Sequence, residues 1–286
     1  MIIDFHVHTF PSGISARVLD KLSRLSHTDY FTDGSVPGLI SSMEKAHIDY
    51  SVNLPVMTTP KQVLKVNSSL IEEQENLKKQ HIITFGGIHP DYADYKEELS
   101  RLKKNGIIGI KIHPAYQNTD LDDIKMMRII DYASELDFIV ITHAGIDIGI
   151  RQHNYASVQQ ILTVIDTVHP TKFVLAHMGN WACWHEAEQY LAGAPVWLDT
   201  AFSIGPVTPR PEDEVPPCLT SNLSDKAFLS LAKKHGMDKI LFATDSPWES
   251  QQEYVKRIRK IFSDGSIPKQ DLDAVLFQNA AKLLQL

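Results

Sequence analysis

The chain has 286 residues, of which 43% are hydrophobic and 22% charged, and its formal net charge is −7. This composition is typical of a globular protein with a large core. The negative charge argues against nucleic acid or an anionic membrane surface as a partner, and favours a small-molecule ligand. No apolar stretch reaches the ~18 residues that a membrane span requires, and the N-terminus lacks the pattern of a signal peptide.

The cysteines carry little structural information. Cys183 and Cys218 are far apart, and neither belongs to a CxxC motif. This usage supports neither a disulfide framework nor a thiolate metal site. It suits a reducing compartment, so we expect a cytoplasmic protein.

Eight short runs rich in Ile, Val and Phe recur along the chain, with helical patterns between them. Runs of this kind are typical of strands buried on both faces of a parallel sheet. The predicted strands are 2–7, 49–54, 82–88, 106–112, 138–143, 172–177, 195–200 and 239–245. The predicted helices are 37–47, 61–79, 121–136, 155–168, 225–236, 252–262 and 270–285.

Several residues mark the ends of these helices. Pro37 suits a first helical turn, and Asp225 and Asp271 are predicted N-caps. Gly236 is a predicted C-cap. The basic run at 256–260 alternates with apolar residues at helical spacing, which predicts one solvated helix face.

Eight alternations of strand and helix predict an α/β fold, a (β/α)8 TIM barrel that spans 1–286 as a single domain. A doubly wound open sheet is the competing fold, but no GxGxxG turn follows the first strand. Segment 205–218 contains five prolines and suits a lid or binding loop. Segments 9–35, 144–155 and 205–223 are the loops in which we expect substrate specificity.

Ionisable residues cluster where the predicted strands end. Active sites of such barrels lie at the carboxyl-terminal ends of the strands. In chain order, the ionisable residues at these ends are His6, His8, His89, Lys111, His113, His143, His177, Asp199 and Asp245.

His6 and His8 are two residues apart, so on a strand both rings face the same side, towards the barrel axis. His143, His177 and Asp245 converge on the same place from other strands. Neutral imidazoles with one carboxylate suit Zn²⁺, with Mn²⁺, Fe²⁺ and Ni²⁺ as alternatives. An HxH pair alone is weak evidence, but so many buried polar groups without a metal would cost roughly 1–3 kcal/mol each.

Five motifs in order, DFHVH, GIKIHP, ITHAG, LAHMG and FATDSPW, resemble the amidohydrolase superfamily. The closest resemblance is to its amidohydrolase-related branch, which includes decarboxylases of the aminocarboxymuconate-semialdehyde type. The resemblance implies that His6, His8, His143 and Asp245 ligate a divalent metal. It also implies that His177 binds a second metal or contacts the substrate.

Lys111 leaves the number of ions open between one and two. In binuclear members of the superfamily a lysine at this strand end is carbamylated and bridges two metals. An unmodified ammonium has no lone pair for a metal, and would instead bind a substrate carboxylate or oxyanion.

The predicted reaction is metal-dependent hydrolysis of an ester, lactone or amide. The metal activates a water, Asp245 transfers its proton, and His177 or Lys111 stabilises the oxyanion. Lys111 and Arg210 favour an anionic substrate, and Asp199 is expected to fix a loop or a histidine. The candidates for contact with the substrate are His89, His113, Arg151, His153, Trp181, Trp184, Arg210 and Trp248.

The sequence leaves four other functions to compare with this hydrolase. A decarboxylase on the same barrel is the main alternative. A phosphoesterase of the polymerase-and-histidinol-phosphatase type is disfavoured, because Asp245-Ser246-Pro247 lacks that family's final histidine. A TatD-like nuclease is disfavoured because Lys111 stands where that pattern has a glutamate. A non-catalytic barrel is disfavoured by the intact ligand set. A homodimer is compatible with the resemblance, but the sequence shows no interface.

Overall fold

The computed structural model describes residues 1–211, 213 and 222–286. Within these residues, parallel strands alternate with helices along the chain. The third strand is divided at Phe85 into the segments Ile82–Thr84 and Gly86–Gly87. The strands are β1 (Ile3–Val7), β2 (Tyr50–Asn53), β3 (the two segments just given), β4 (Gly109–Ile112), β5 (Ile139–Thr142), β6 (Phe173–Leu175), β7 (Trp197–Asp199) and β8 (Ile240–Leu241).

The helices lie between the strands. They are α1 (Ser15–Ser26), α2 (Val36–Ala46), α3 (Gln62–Lys79), α4 (Tyr95–Lys104), α5 (Ile124–Glu135), α6 (Val158–Val168), α7 (Trp184–Glu186), α8 (Asp225–His235), α9 (Gln251–Asp264), α10 (Lys269–Asp273) and α11 (Asn279–Leu284). None of the helices in the described part of the chain combines the length and the apolar character that crossing a lipid bilayer demands.

Backbone contacts between the first and last strands close the cylinder. Phe5 N–H donates to Phe242 O at 2.9 Å, and Asp245 N–H donates to His6 O at 2.8 Å. Val7 and Ser246 form a parallel bridge just beyond. The neighbouring strands pair in parallel in chain order around the rest of the ring. The predicted (β/α)8 barrel is therefore confirmed.

Two apolar clusters hold the barrel together. The larger lies between the strands and the surrounding helices. The smaller draws Phe5, Phe85 and Ile141 from the strands and Leu283 and Leu284 from α11 and its end. Residues at the strand starts pack against this smaller cluster, so α11 covers the amino-terminal end of the barrel. The opposite end is left for the site.

Two of the predicted helix caps are wrong. The Ser224 side chain, not Asp225, caps α8 by accepting a hydrogen bond from the Ala227 N–H. Pro268 precedes α10, so Asp271 already lies within its first turn. Pro37 in the first turn of α2 and Gly236 at the end of α8 are confirmed.

Helices α1 and α4 were not predicted. The apolar residues of α1 do recur at helical spacing, so this helix was a missed signal, whereas charged residues dominate the sequence of α4. In the basic run of α9, Lys256, Arg259 and Lys260 face solvent, whereas Arg257 is half-buried against Ile204 O and Asp225 and Ile258 is buried. Residues 212 and 214–218 of the predicted lid at 205–218 lie outside the described residues, so that hypothesis stays a prediction.

Candidate metal centre

Three polar side chains meet at the carboxyl-terminal end of the barrel. His6 lies in β1, His8 follows it, and Asp245 follows β8 across the closing seam. The Nε2 atoms of the two histidines lie 3.2 Å apart. Asp245 Oδ1 lies 3.4 Å from His6 Nε2 and 3.1 Å from His8 Nε2. These three atoms form a nearly equilateral triangle, which we call the ligand triangle.

Hydrogen bonds on the far side of each ring determine which nitrogen carries the proton. His8 Nδ1 lies 2.6 Å from the Leu54 carbonyl oxygen, and His6 Nδ1 lies 2.8 Å from Asp199 Oδ2. A carbonyl and a carboxylate can only accept, so each Nδ1 donates. In a neutral imidazole the other nitrogen then keeps its lone pair. Both Nε2 atoms of the ligand triangle are therefore able to bind a cation.

A second chain of hydrogen bonds prepares His143 in the same way. His177 Nδ1 donates to the Ala201 carbonyl oxygen at 3.0 Å, which leaves His177 Nε2 as an acceptor. His143 Nδ1 lies 3.0 Å from that atom and donates to it. The lone pair of His143 is thus on Nε2, which is buried and has no hydrogen-bond partner. Asp199 Oδ1 supports this chain by accepting the His177 backbone N–H at 2.9 Å.

The ligand triangle fits a divalent cation. Ligand atoms 2.0–2.1 Å from a tetrahedral ion lie about 3.4 Å from one another. The edges of the triangle, 3.1–3.4 Å, come close to this value. Asp245 Oδ1 is buried, lies 3.1–3.4 Å from the two nitrogens and has no hydrogen-bond partner of good geometry.

The structure brings His6, His8 and Asp245 within ligand distance of one another, and it places His143 beside them rather than among them. His143 groups with His113 and Asp147, whose ligand atoms lie within 4.8 Å of its own. The role of His143 as a fourth ligand therefore stays a prediction. Its unpartnered Nε2 supports that role.

Burial sets the protonation states of the site. It lowers the pKa of His6 and His143 well below that of a free imidazole, and it lowers the pKa of His177 to about 4. Burial alone would raise the pKa of Asp245, but His6 and His8 outweigh it and hold that pKa well below its usual range. Neutral rings and an ionised carboxylate are the states that metal binding requires.

Lys111 places a cation next to the ligand triangle. Its Nζ lies 3.3 Å from His6 Nε2, and the side chain is fully buried. Burial lowers the pKa of Lys111 to about 8, while Asp199 and Asp245 act in the opposite direction. At neutral pH the amine is therefore mostly an ammonium, which suits an anionic group rather than a metal.

His113 and Asp147 lie beside His143. The Tyr116 backbone N–H donates to His113 Nδ1 at 3.4 Å, which leaves the His113 proton on Nε2. That atom faces Asp147 Oδ2 at 3.7 Å. The Gly149 and Ile150 N–H groups hold Asp147 Oδ1, and burial raises the pKa of Asp147 to about 6. His113 thus presents a proton rather than a lone pair to Asp147, which disfavours a second ion here.

A cavity of about 1220 Å³ opens from the ligand triangle. Of the predicted substrate contacts, His113, Trp181 and Trp248 line it, together with Lys111 and His177.

The remaining candidates lie elsewhere. His89 accepts the Asp91 N–H at 3.1 Å, and the Trp184 indole donates to the His177 carbonyl oxygen. The other three also do not line the cavity. Arg151 donates to Ile148 O, and His153 pairs with Asp120. Arg210 lies near Ser23 and Asp213.

Sequence reasoning missed Asp147 and Tyr116, which both line the cavity. The Tyr116 ring packs on His113 with centroids 4.3 Å apart and a tilt of 31° between the planes, and His113 stacks on His143 at 4.4 Å. Both missed residues lie in loops, a few positions beyond a histidine that ends a strand. For Asp147, the available signal was its position four residues after His143.

Comparisons with known proteins bear on the family and the fold of the chain. A family model described as amidohydrolase matches residues 3–286. No curated protein matches the chain significantly.

Three solved structures illustrate the likeness. 5-Carboxyvanillate decarboxylase from Sphingomonas paucimobilis is 15% identical, with a TM-score of 0.70 over 100% of this chain and 99% of that one. A manganese-bound dihydroxybenzoic acid decarboxylase from Polaromonas sp. is 16% identical, with a TM-score of 0.68 over 100% and 97%. A probable 2-pyrone-4,6-dicarboxylic acid hydrolase from Acinetobacter baumannii is 16% identical, with a TM-score of 0.64 over 100% and 99%.

These likenesses concern the fold, and the family model matches nearly the whole chain. Together with a cluster of histidines and an aspartate suited to a divalent cation, they lead to one conclusion: the chain belongs to the amidohydrolase family.

Proposed function

We propose that the protein is a hydrolase that uses one divalent cation, zinc in the first place, to cleave an ester, lactone or amide bond of a small anionic molecule. The observation that carries this proposal is the ligand triangle, with its three unprotonated donor atoms at 3.1–3.4 Å from one another. His6, His8, Asp245 and His143 would hold the ion. When bound, it supplies Lewis-acid polarisation of the carbonyl and a lower pKa for water.

Asp245 is the group that handles the proton. It is ionised, and it is the one carboxylate of the ligand triangle. In our proposal it accepts a proton from the attacking water and returns it to the leaving oxygen or nitrogen. Lys111, as an ammonium, attracts the substrate's anionic group or the developing oxyanion.

One ion suits this chain better than two. A second ion would need His177 Nε2 as a ligand, but that atom already accepts the proton of His143 Nδ1. In our proposal His177 therefore positions His143. Manganese, iron and nickel remain alternatives to zinc, because the same nitrogen and oxygen donors bind them.

Replacing Asp245 with Asn tests the proposal. The variant loses the negative charge and one of the two carboxylate oxygens, so we expect less bound metal and a fall in turnover of roughly 10²- to 10⁴-fold. Elemental analysis and assays with a panel of aryl esters, lactones and acyl amides measure both. Asp166→Asn, at an exposed site on α6, is the control. Full turnover in D245N would refute the assigned role.

A decarboxylase is the second candidate, favoured by two of the structural neighbours described above. Lys111 and a metal would then hold a substrate carboxylate. Release of CO₂ from hydroxylated aromatic acids by the metal-loaded protein, without hydrolysis of the ester and lactone panel, would select this candidate over the hydrolase.

A further inference from the structure

The cavity extends well beyond the ligand triangle. Its volume of about 1220 Å³ exceeds the ~300–1,000 Å³ that is common for small-molecule sites. The extra space lies between α1 and α3, whose side chains line the outer part. A molecule with a single ring fills only a fraction of this volume.

Both helices turn apolar side chains towards this space. Ile14, Val18 and Leu22 lie four residues apart, so they form one stripe along α1. Val66 and Leu70 form the matching stripe on α3. Ile14 is 39% exposed and the other four are only half-buried, so both stripes leave apolar surface open to the same cavity.

Four cations accompany these stripes. Arg17 and Lys21 lie one turn apart on α1, and Lys61 and Lys65 lie one turn apart at the start of α3. All four line the cavity, and within the described residues none of them forms an ion pair.

Acidic residues offset only part of this charge. Glu73 also lines the cavity, where its carboxylate accepts a hydrogen bond from the Ser69 hydroxyl and sets one negative charge against the four positive ones. Asp20 on α1 is paired with Arg24. Like charges one turn apart are unfavourable in a helix, so two such pairs at one gap indicate a site for an anion.

We propose that this space, the distal groove formed by Ile14, Arg17, Val18, Lys21, Leu22, Lys61, Lys65, Val66 and Leu70, binds an elongated amphipathic anion. The anion is the non-reacting part of the substrate: an apolar chain lies between the two stripes, and a carboxylate or phosphate on it meets the four cations. The substrate's reacting group lies at the ligand triangle. This proposal rests on the proposed function, since the groove and the triangle share one cavity.

Calorimetric titration of the full chain tests the groove. Octanoate and octyl phosphate serve as anionic probes, octyl glucoside as the neutral probe with the same chain, and acetate and inorganic phosphate as anions without it. We expect the two chain-bearing anions to bind roughly tenfold tighter than the neutral or the chainless probes. The ratio of octanoate to octyl phosphate affinity identifies which anion the groove prefers.

Charge variants assign the binding to the groove. The double variant K61Q/K65Q should weaken octyl phosphate binding by roughly five- to tenfold, and 0.5 M NaCl should weaken it in the wild type. Lys79→Gln is the matched control, because it removes a positive charge from the same helix outside the cavity. Leu70→Asn should weaken octyl phosphate binding without affecting that of inorganic phosphate.

Any of three results would overturn the proposal. The first is equal affinity for octyl phosphate and octyl glucoside, and the second is an equal loss of octyl phosphate affinity in K61Q/K65Q and K79Q. The third is a dimer that occludes α1 and α3 and dissociates in the K61Q/K65Q variant. The titrations are repeated in D245N, where the groove is intact. Binding there without any hydrolysis by the wild type would contradict the hydrolase and leave the groove standing. Hydrolysis by the wild type without binding of the probes would support the hydrolase and contradict the groove.

Discussion

Asp199 shows how one buried carboxylate orients two histidines. Its Oδ2 accepts the proton of His6 Nδ1, and its Oδ1 accepts the backbone N–H groups of His177 and Ala201. Burial raises the pKa of Asp199 to about 6, so it is ionised at neutral pH. The lone pair of His6 that faces the ligand triangle depends on this residue, although Asp199 itself does not belong to the triangle.

Asp199→Asn should therefore weaken metal binding. An amide would place N–H groups against the backbone donors or against His6, which favours the wrong tautomer of that ring. We expect roughly a 10- to 100-fold loss of metal affinity, measured by competition with a chromophoric chelator. Asp166→Asn again serves as the control. Unchanged affinity in D199N would mean that His6 does not depend on this hydrogen bond.

The meeting of His6, His8 and Asp245 could be predicted from the sequence, because parallel strands bring their carboxyl ends to one edge. The same rule wrongly placed His89 and Arg210 at the substrate cavity. His89 follows β3 but bonds to its own loop, and Arg210 lies beneath α1. Side chains beyond a strand end are aimed by loop geometry, which period-two reasoning does not cover.

Gly145 joins two of the loops that carry the site. It has a φ of +90°, and a Cβ there would lie 2.2 Å from Trp181 N and 2.7 Å from Asn180 C. These are backbone atoms in the segment after His177, so they cannot move aside without shifting that loop. The residue fixes the loop after β5 against the loop after β6.

Gly145→Ala should lower the free energy of unfolding by more than backbone strain alone, which is ~1–3 kcal/mol for a residue with such a φ. Gly193→Ala is the matched control, since Gly193 has a φ of +87° and no atom within 4 Å of the added Cβ. Urea unfolding of both variants separates strain from steric clash. Equal losses of unfolding free energy would contradict the close approach.

His235 at the end of α8 makes stability depend on pH. Its Nδ1 accepts the Gly193 N–H and its Nε2 donates to Val196 O, so the ring is held neutral. Burial lowers the pKa of His235 below 6.5 in the folded protein. As pH falls through 6.5 the unfolded chain takes up the proton first, so the free energy of unfolding decreases, by at most about 1.4 kcal/mol per pH unit.

His235→Gln should flatten this decrease. Chemical unfolding of wild type and variant at pH 7.5, 6.5 and 5.5 measures the two slopes. Other buried histidines contribute to both curves, and only the difference belongs to His235. Parallel curves would show that this ring is not protonated on unfolding.

At the scale of helices, the long amphipathic segments could be predicted and the exact ends could not. The side chains of Asp225 and Ser224 are both good caps, and only the backbone angles at Ser224 decide between them. Helix α1 was missed although its apolar residues recur at helical spacing, and part of that apolar face lines a cavity instead of the core.

For the whole molecule, metal and stability should be linked. An ion that binds the folded chain alone raises the free energy of unfolding, by about 2.7 kcal/mol at a concentration of 100 times Kd. We therefore expect zinc to raise the Tm of protein stripped with a chelator, with a much smaller rise in D245N. A wild-type Tm that does not change on addition of metal would contradict the predicted metal centre.

The architecture was the most predictable level. Eight apolar runs separated by helices leave few topologies other than a closed barrel. The cavity between α1 and α3 was not predictable, since it depends on how far an unpredicted helix stands from a predicted one.

The seam between β1 and β8 has a consequence for biosynthesis. His6 and His8 leave the ribosome more than two hundred residues before their partner Asp245. The backbone bonds that align them, such as Asp245 N–H to His6 O, form only once these two distant segments meet. A growing chain thus has no complete cage for the ion until Asp245 has been synthesised, which restricts premature capture of a wrong metal.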